Sequence, residues 1–285
     1  MPEPTQHQTR GQESALRGGD LETVKARNKA AWTAGDFGKL AKFAEGAAEE
    51  FVARRNIQPG MRVLDVGCGT GNLAIPAARA RADVTGVDIA PNLLAQARQR
   101  AEREGLDIDF EEGDVDELPY EDGAFDLVAS MFGAIFAPRP QRAAAELLRV
   151  CRPGGQIAMA NWTPDSFIGQ VQKTIAKYIP QPPNAPQPLE WGEESTVRSL
   201  LGGGVKNLNI TRQTAKMAYP FDVAQTVEFE RVNLGPAVIA FENLSKEDQA
   251  NIRRDLEALH ARHNKAKDGT VLIESEYLDV TAIRA

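Results

Sequence analysis

The stretch Val63-Leu64-Asp65-Val66-Gly67-Cys68-Gly69-Thr70-Gly71-Asn72 constrains the fold more than any other part of the chain. A short apolar run with an embedded acid enters three glycines at every second position. A helix-compatible segment, 73–81, follows. This order reads as a buried strand, a tight turn and a helix start. Glycine in such a turn supplies backbone angles that a Cβ forbids, and it lets another molecule approach the main chain. Backbone N–H groups at the helix start then favour the polar end of a small ligand.

The surroundings extend the pattern. Strands are expected at 62–66, 83–88, 107–111, 125–130 and 156–160, with helices at 71–81, 91–104 and 139–151. Pro91 suits a first helical position, because its missing N–H would be unpaired there anyway. Pro153-Gly154-Gly155 reads as a sharp stop before the fifth strand. Short apolar strands alternating with helices imply a mostly parallel sheet covered on both faces. Upstream, residues 1–20 form a polar N-terminal tail with prolines and glycines. Residues 21–55 read as two helices jointed at Gly35-Asp36-Phe37-Gly38. Downstream, helices are expected at 165–178, 193–201, 222–232, 236–243 and 245–264. The proline-rich run 180–188 excludes helix and central strand. Residues 205–218 and 271–284 read as two more strands. The chain thus divides into the tail, N-terminal cap helices at 21–55, a ligand-binding core at 56–163, and cap segments with the last two strands at 164–285.

Composition narrows the function. The chain has 285 residues and a formal net charge of −7. An acidic balance argues against a protein that tracks nucleic-acid phosphates. Two cysteines, Cys68 and Cys151, exclude a dense disulfide framework and fit a reduced setting. No apolar run approaches the roughly 18–20 residues of a membrane helix, and the N-terminus has no signal-peptide pattern. A cytoplasmic location is the default expectation.

Ligands in open α/β sheets bind outside the carboxyl ends of the strands. Asp88 ends the run Val84-Thr85-Gly86-Val87, and an acid there can accept hydrogen bonds from both hydroxyls of a ribose. Asp114, after Gly113, stands at the end of the next strand. A glycine-rich backbone, a ribose acceptor and a polar group for a base edge together describe a nucleoside site. The order Asp-x-Gly-x-Gly-x-Gly differs from the Gly-x-Gly-x-x-Gly of dinucleotide-binding folds. At these residues the sequence resembles the class I S-adenosylmethionine-dependent methyltransferases, and most of all their type 11 and ubiquinone/menaquinone-biosynthesis-type group. The resemblance rests on Val63 to Gly71, Val87-Asp88-Ile89, Glu112-Gly113-Asp114-Val115, Phe125-Asp126-Leu127-Val128, and Glu146 through Gly155. It covers 55–163 firmly and the rest loosely.

The resemblance implies a seven-stranded Rossmann-like sheet with a helical cap, and S-adenosyl-L-methionine as cofactor. Its implied cofactor-binding set is Asp65, Gly67, Cys68, Gly69, Gly71, Asn72, Asp88, Ile89, Gly113, Asp114, Val115, Ser130 and Met131. Asp65, Gly67 and Gly69 would surround the amino-acid end, with Gly71 opening the helix. Asp88 would hold the ribose, Ile89 would pack on the adenine, and Asp114 would meet the adenine amino group beside Val115. Ser130 and Met131 would lie near the methionine portion. Cys68 has no basic neighbour to favour a thiolate and reads as a small turn residue.

The loop Ser130-Met131-Phe132-Gly133-Ala134-Ile135-Phe136 carries neither an Asn/Asp-Pro-Pro-Tyr/Phe element nor a histidine, so no catalytic base is assigned. Trp32, Phe132, Phe136, Trp162 and Trp191 are candidates for a pocket wall, and Trp32 with Phe37 for part of a lid. Each also reads as packing. His260 and His263 share a helix face, but no third metal ligand is evident, so a solvated surface is expected and no metal site. The expected activity is methyl transfer to a small, partly hydrophobic molecule. A cofactor-binding protein without catalysis, a protein or peptide methyltransferase, and a nicotinamide-dependent oxidoreductase are the alternatives.

Overall fold

The computed structural model describes residues 18–179 and 187–285, with side chains from Leu21 onward. Most of the expected tail, and the prolines of 180–186, lie outside the described residues.

Three α-helices precede the sheet: α1 (Gly18–Thr33), α2 (Phe37–Ala41) and α3 (Glu45–Ala53), with a single 3-10 turn between the last two. The core follows as β1 (Arg62–Val66), α4 (Ala74–Arg79), β2 (Asp83–Asp88), α5 (Pro91–Glu104), β3 (Asp109–Glu112), β4 (Phe125–Met131), α6 (Pro140–Val150) and β5 (Cys151–Trp162). The remainder is α7 (Phe167–Ala176), α8 (Glu194–Leu201), β6 (Val205–Tyr219), α9 (Val223–Asn233), α10 (Gly235–Glu242), α11 (Lys246–His263) and β7 (Val271–Arg284). All seven strands form one sheet in the order β3-β2-β1-β4-β5-β7-β6. Strands β1 to β5 pair in parallel, whereas β7 runs antiparallel to both β5 and β6.

Local chemistry accounts for the boundaries. Pro91 and Pro140 each stand in the first turn of their helix, where a missing N–H is harmless. Gly105 ends α5 with φ 64°, a left-handed cap that glycine adopts without Cβ strain. Ser166 caps α7 by accepting from Gly169 N, and Asp222 with Gln225 forms a capping box at α9. The strand interiors are apolar and buried, with Val63, Leu64, Val66, Leu127, Val128, Ile157 and Met159 all at or near zero exposure. Parallel strands buried on both faces require such runs.

Three expectations change. Cys151 and Pro153-Gly154-Gly155 belong to β5, which pairs Phe125 with Cys151 and then shifts register before Leu127 and Gln156. The Pro-Gly-Gly is therefore a bulge inside the strand, which inserts residues while pairing continues. Pro188, expected in an irregular run, opens a short 3-10 turn at Pro188–Gly192. The helix after β1 is only Ala74–Arg79, because the glycine turn extends through Leu73.

The sheet is tied to the N-terminal helices by a buried ionic cluster. Asp279 on β7 accepts from Arg54 Nε at 2.9 Å and from Arg55 Nη2, while Arg54 Nη2 donates to the Tyr277 hydroxyl at 2.8 Å. The Arg55 side chain is 2% exposed, and its burial lowers its pKa against the pull of Asp279. Removing the carboxylate would leave a buried guanidinium unpaired, which costs about 3–5 kcal/mol. Asp279→Ala should therefore lower the unfolding free energy by about that amount, read as a fall in urea midpoint at unchanged slope. A shift of a few tenths of that size would show that the cluster does not anchor α3 to the sheet.

Candidate cofactor and acceptor site

The glycine turn stands at the carboxyl end of β1, where strand order reverses between β1 and β4, the place at which open sheets bind ligands. Gly67, Gly69 and Gly71 all have positive φ, at 68°, 52° and 81°. Gly67 also needs the missing side chain, since a Cβ there would stand 2.8 Å from Gly133 Cα. A Cβ on Gly69 would meet nothing within 4 Å. Its main chain thus faces open space, as a turn that cradles a ligand requires.

The Asp88 carboxylate sets this turn. Its Oδ2 accepts from Gly69 N at 2.8 Å and its Oδ1 from Ala90 N at 2.9 Å. Burial raises the Asp88 pKa, and the backbone N–H groups of Ala90, Gly69 and Ile89 oppose the rise. Asp65 is buried and accepts from Ala74 N at 3.0 Å, so it caps the start of α4 from below. Burial, opposed by that N–H and assisted by the charge of Asp88, pushes Asp65 up to about 8. The Cys68 thiol points toward Gly86, and burial raises it well above the ordinary thiol range, so it is no thiolate. Arg100 on α5 clamps the turn from outside. Its Nη1 donates to Thr70 O at 2.8 Å and Asn72 Oδ1 at 2.7 Å, and its Nη2 to Glu45 on α3 at 2.9 Å. Asn72 also donates to Ala41 O at 2.8 Å. Its amide is thereby tied to the N-terminal helices.

The other expected residues lie on the neighbouring strand ends. Gly113 bonds back to Asp88 O, and Asp114 Oδ1 accepts from Asp116 N at 2.9 Å. Ser130 is fully engaged, donating to Val66 O at 2.6 Å and accepting from Ala134 N at 2.9 Å. Ile89, Val115 and Met131 are half-buried beside the same strand ends. Asp65, Gly67, Cys68, Gly69, Gly71, Asn72, Asp88, Ile89, Gly113, Asp114, Val115, Ser130 and Met131 therefore gather at the ends of β1 to β4.

The five aromatic candidates do not form one wall. Trp32 makes edge contacts with Phe37 and Phe136, at ring separations of 5.5 and 4.9 Å. Phe132 stacks on Trp162 at 3.7 Å, and Tyr277 meets Phe132 edge-on. Trp191 is 1% exposed on the short turn that abuts Trp162 and Thr163. One expectation is overturned outright: His260 is not a solvated surface residue but fully buried. Its Nδ1 meets Leu256 O at 2.8 Å, and its Nε2 lies 3.1 Å from Glu230 Oε2 without full hydrogen-bond alignment. Burial lowers its pKa, yet Glu230 and the Leu256 carbonyl outweigh that and the net direction is upward. His263 is half-buried against Gln170. Among the described residues no three side chains gather as a metal site.

Sequence reasoning missed two contributors, Lys25 and Asn161, and did not foresee the buried polar atom of Trp191. Lys25 on α1 pairs with Asp114, Nζ to Oδ2 at 2.6 Å. Asn161, near the end of β5, is fully buried with both amide atoms unpartnered among the described residues, and Trp191 Nε1 is likewise unpartnered. No local signal marks Lys25 or Asn161. Each acquires its role from an element distant in sequence.

A family model described as a methyltransferase domain matches residues 63–155. An uncharacterized protein of Mycobacterium tuberculosis is 38% identical over 266 residues, covering 92% of this chain and 95% of that protein. Phosphatidylethanolamine N-methyltransferase of Cereibacter sphaeroides is 35% identical over 163 residues, covering 56% and 78%. The structure of phosphoethanolamine N-methyltransferase 2 of Haemonchus contortus, in complex with S-adenosyl-L-methionine, superposes with a TM-score of 0.54. Its sequence identity is 16%, and the match covers 84% of this chain and 52% of that one. The chain belongs to the class I S-adenosylmethionine-dependent methyltransferases. S-adenosyl-L-methionine is accordingly its cofactor, and the open main chain at Gly69 fits a turn that holds such a ligand.

Asp65 gives this site a pH signature. The folded form holds a proton that the unfolded chain releases, so ionisation opposes folding as pH rises from about 4 to about 8. Asp65→Asn keeps an acceptor for Ala74 N and removes the titration. The variant should gain stability relative to the parent as pH increases across that window, measured by urea unfolding at several pH values. Parallel pH profiles would mean that Asp65 is ionised throughout.

Proposed function

We propose that this methyltransferase acts on a small, partly hydrophobic molecule, held beneath a helical cap at the ends of β4 and β5. The observation that carries this reading is the aromatic group Trp32, Phe37 and Phe136, in which a cap residue from α1 meets the loop after β4. An apolar roof over the strand ends suits a compact acceptor. A folded protein or a nucleic acid would need an open, and for nucleic acid a basic, approach.

In this reading Gly67, Gly69 and the backbone to Asn72 take the amino-acid end of the cofactor. Asp88 accepts from the ribose, and Asp114 with Val115 meets the adenine edge. Ser130 acts through the backbone, holding Val66 and Ala134 so that the β4 loop keeps its shape. The cofactor supplies a methyl group already activated on a sulfonium. The chain's part is alignment and exclusion of water, which can supply much of the rate. Residues 130–137 carry no carboxylate or imidazole, so this loop supplies no general base of its own. The setting is taken to be the cytoplasm; among the described residues no helix is long and apolar enough to cross a membrane.

Two experiments test the reading. Asp88→Ala should weaken S-adenosylhomocysteine binding by about 10- to 100-fold in calorimetry, from loss of a charged hydrogen bond. Unchanged affinity would remove Asp88 from the ribose. Incubation with methyl-labelled cofactor should label low-mass phenols, quinols or amines and leave protein and nucleic acid unlabelled. Label confined to protein would favour a protein methyltransferase, and binding without turnover of any acceptor would favour a cofactor-binding protein that lacks catalysis.

A further inference from the structure

We infer that Lys25 is an internal competitor for the adenine site, so that cofactor entry and lifting of the N-terminal helix are one event. The inference rests on the assignment of Asp114 to the adenine amino group. Both oxygens of Asp114 are already engaged: Oδ1 accepts from Asp116 N at 2.9 Å, and Oδ2 accepts from the Lys25 ammonium at 2.6 Å. An adenine amino group is a donor, and although a carboxylate oxygen can accept twice, at Asp114 it would meet a cation that presents its own donors. The lysine therefore stands where the base edge is to be read.

The helix that carries Lys25 is built to leave. Lys25, Asn28, Lys29 and Trp32 are spaced three and four apart and share one face of α1. That face is held to the core by polar contacts and one aromatic group. Lys25 pairs with Asp114, Lys29 with Glu112, and Asn28 Nδ2 donates to Phe136 O at 3.4 Å. These contacts lie at the ends of β3 and β4, on either side of the glycine turn. The Lys29 pair is about half exposed and the Lys25 pair 20% and 30% exposed, so water reaches both and each breaks at modest cost. The far end of α1 is fixed differently. Asn92 donates to Thr33 O, Asp36 N bonds to Asn233 O at 3.1 Å, and Gly35 lies so close to Asn233 O that a Cβ would stand 2.7 Å away. The helix is thus pinned near Gly35 and releasable at Lys25. Trp32 sits between these ends, so lifting α1 also moves the apolar roof over the acceptor site.

The same geometry discriminates between bases. A 6-oxopurine presents an acceptor where adenine presents a donor, and Lys25 can donate to it without leaving Asp114. Calorimetry with S-adenosylhomocysteine and S-inosylhomocysteine, on the parent protein, Lys25→Met and Lys25→Arg, tests the inference. Lys25→Met should bind the adenosyl compound about two- to five-fold more tightly, the equivalent of an exposed ion pair no longer broken. It should also lose affinity for the inosyl compound. Added salt should improve adenosyl binding in the parent and not in Lys25→Met. Lys25→Arg keeps the charge and should behave as the parent. Equal or weaker adenosyl binding by Lys25→Met overturns the gate while leaving the cofactor site standing. Failure of all three proteins to bind either nucleoside overturns the site assignment and the gate with it.

Discussion

One carboxylate organises the functional end of this molecule. Asp88 closes β2 and reaches back to Gly69 N at 2.8 Å and forward to Ala90 N at 2.9 Å. It thereby fixes the turn after β1 and the start of α5 with the same two oxygens. The turn is also wedged against the β4 loop, because Gly67 and Gly133 approach at a distance that only two glycines allow. Three strand ends are held in register by these contacts. Everything placed on them inherits that precision, including Asp114, Ser130 and the aromatic residues of the cap.

The cap is assembled from both ends of the chain. Helices α1 and α2 come from the N-terminus, while α7 and α9 to α11 come from the insertions around β6. They meet at Gly35 and Asn233, and β6 with β7 provides the extended support beneath them. The buried His260 of α11 and Tyr219 of β6 meet at the half-buried Glu230 of α9, between the cap helices and this support. Glu230 draws the His260 pKa upward, while burial followed by Glu230 raises Tyr219. A buried polar cluster of this kind is costly unless its members satisfy one another. Its position far from the glycine turn makes it part of the cap's framework rather than of the methyl-transfer chemistry. Core and cap therefore have different physics. The core is a close-packed apolar sheet; the cap joins it through the buried Arg55–Asp279 cluster and an apolar patch around Met217 and Ile273, while α1 alone is held by more exposed ion pairs.

Much of the core was legible without coordinates. The boundaries of β1, β2, α5, β6 and β7 followed from apolar runs, Pro91 and the glycine stops, because each is set by neighbours in sequence. The glycine turn and the acids assigned to the proposed cradle were legible as local features for the same reason: they sit within a few residues of strand ends. The errors came where distant elements decide. Pro153-Gly154-Gly155 read as a stop, yet pairing with Phe125 and Leu127 carries the strand through it as a bulge. His260 read as a surface residue from its polar helix, but Phe167 at 4.8 Å and α9 cover it. His260 in fact falls on the stripe of Ile252, Leu256 and Leu259 that α11 buries, so helical spacing already placed it on the inward face.

The sequence by itself determined the turn at 63–72, the acids that flank it and the order of strands and helices around it. These depend on backbone angles that only glycine adopts freely, and on hydrogen bonds between residues a turn apart. Only the tertiary structure decided that Asp88 also holds the turn, that Asp114 is paired with Lys25, and that Asn161 and Trp191 bury polar atoms with no partner among the described residues. Those facts depend on contacts between segments tens to hundreds of residues apart. Such contacts are settled by packing, and no local pattern encodes them.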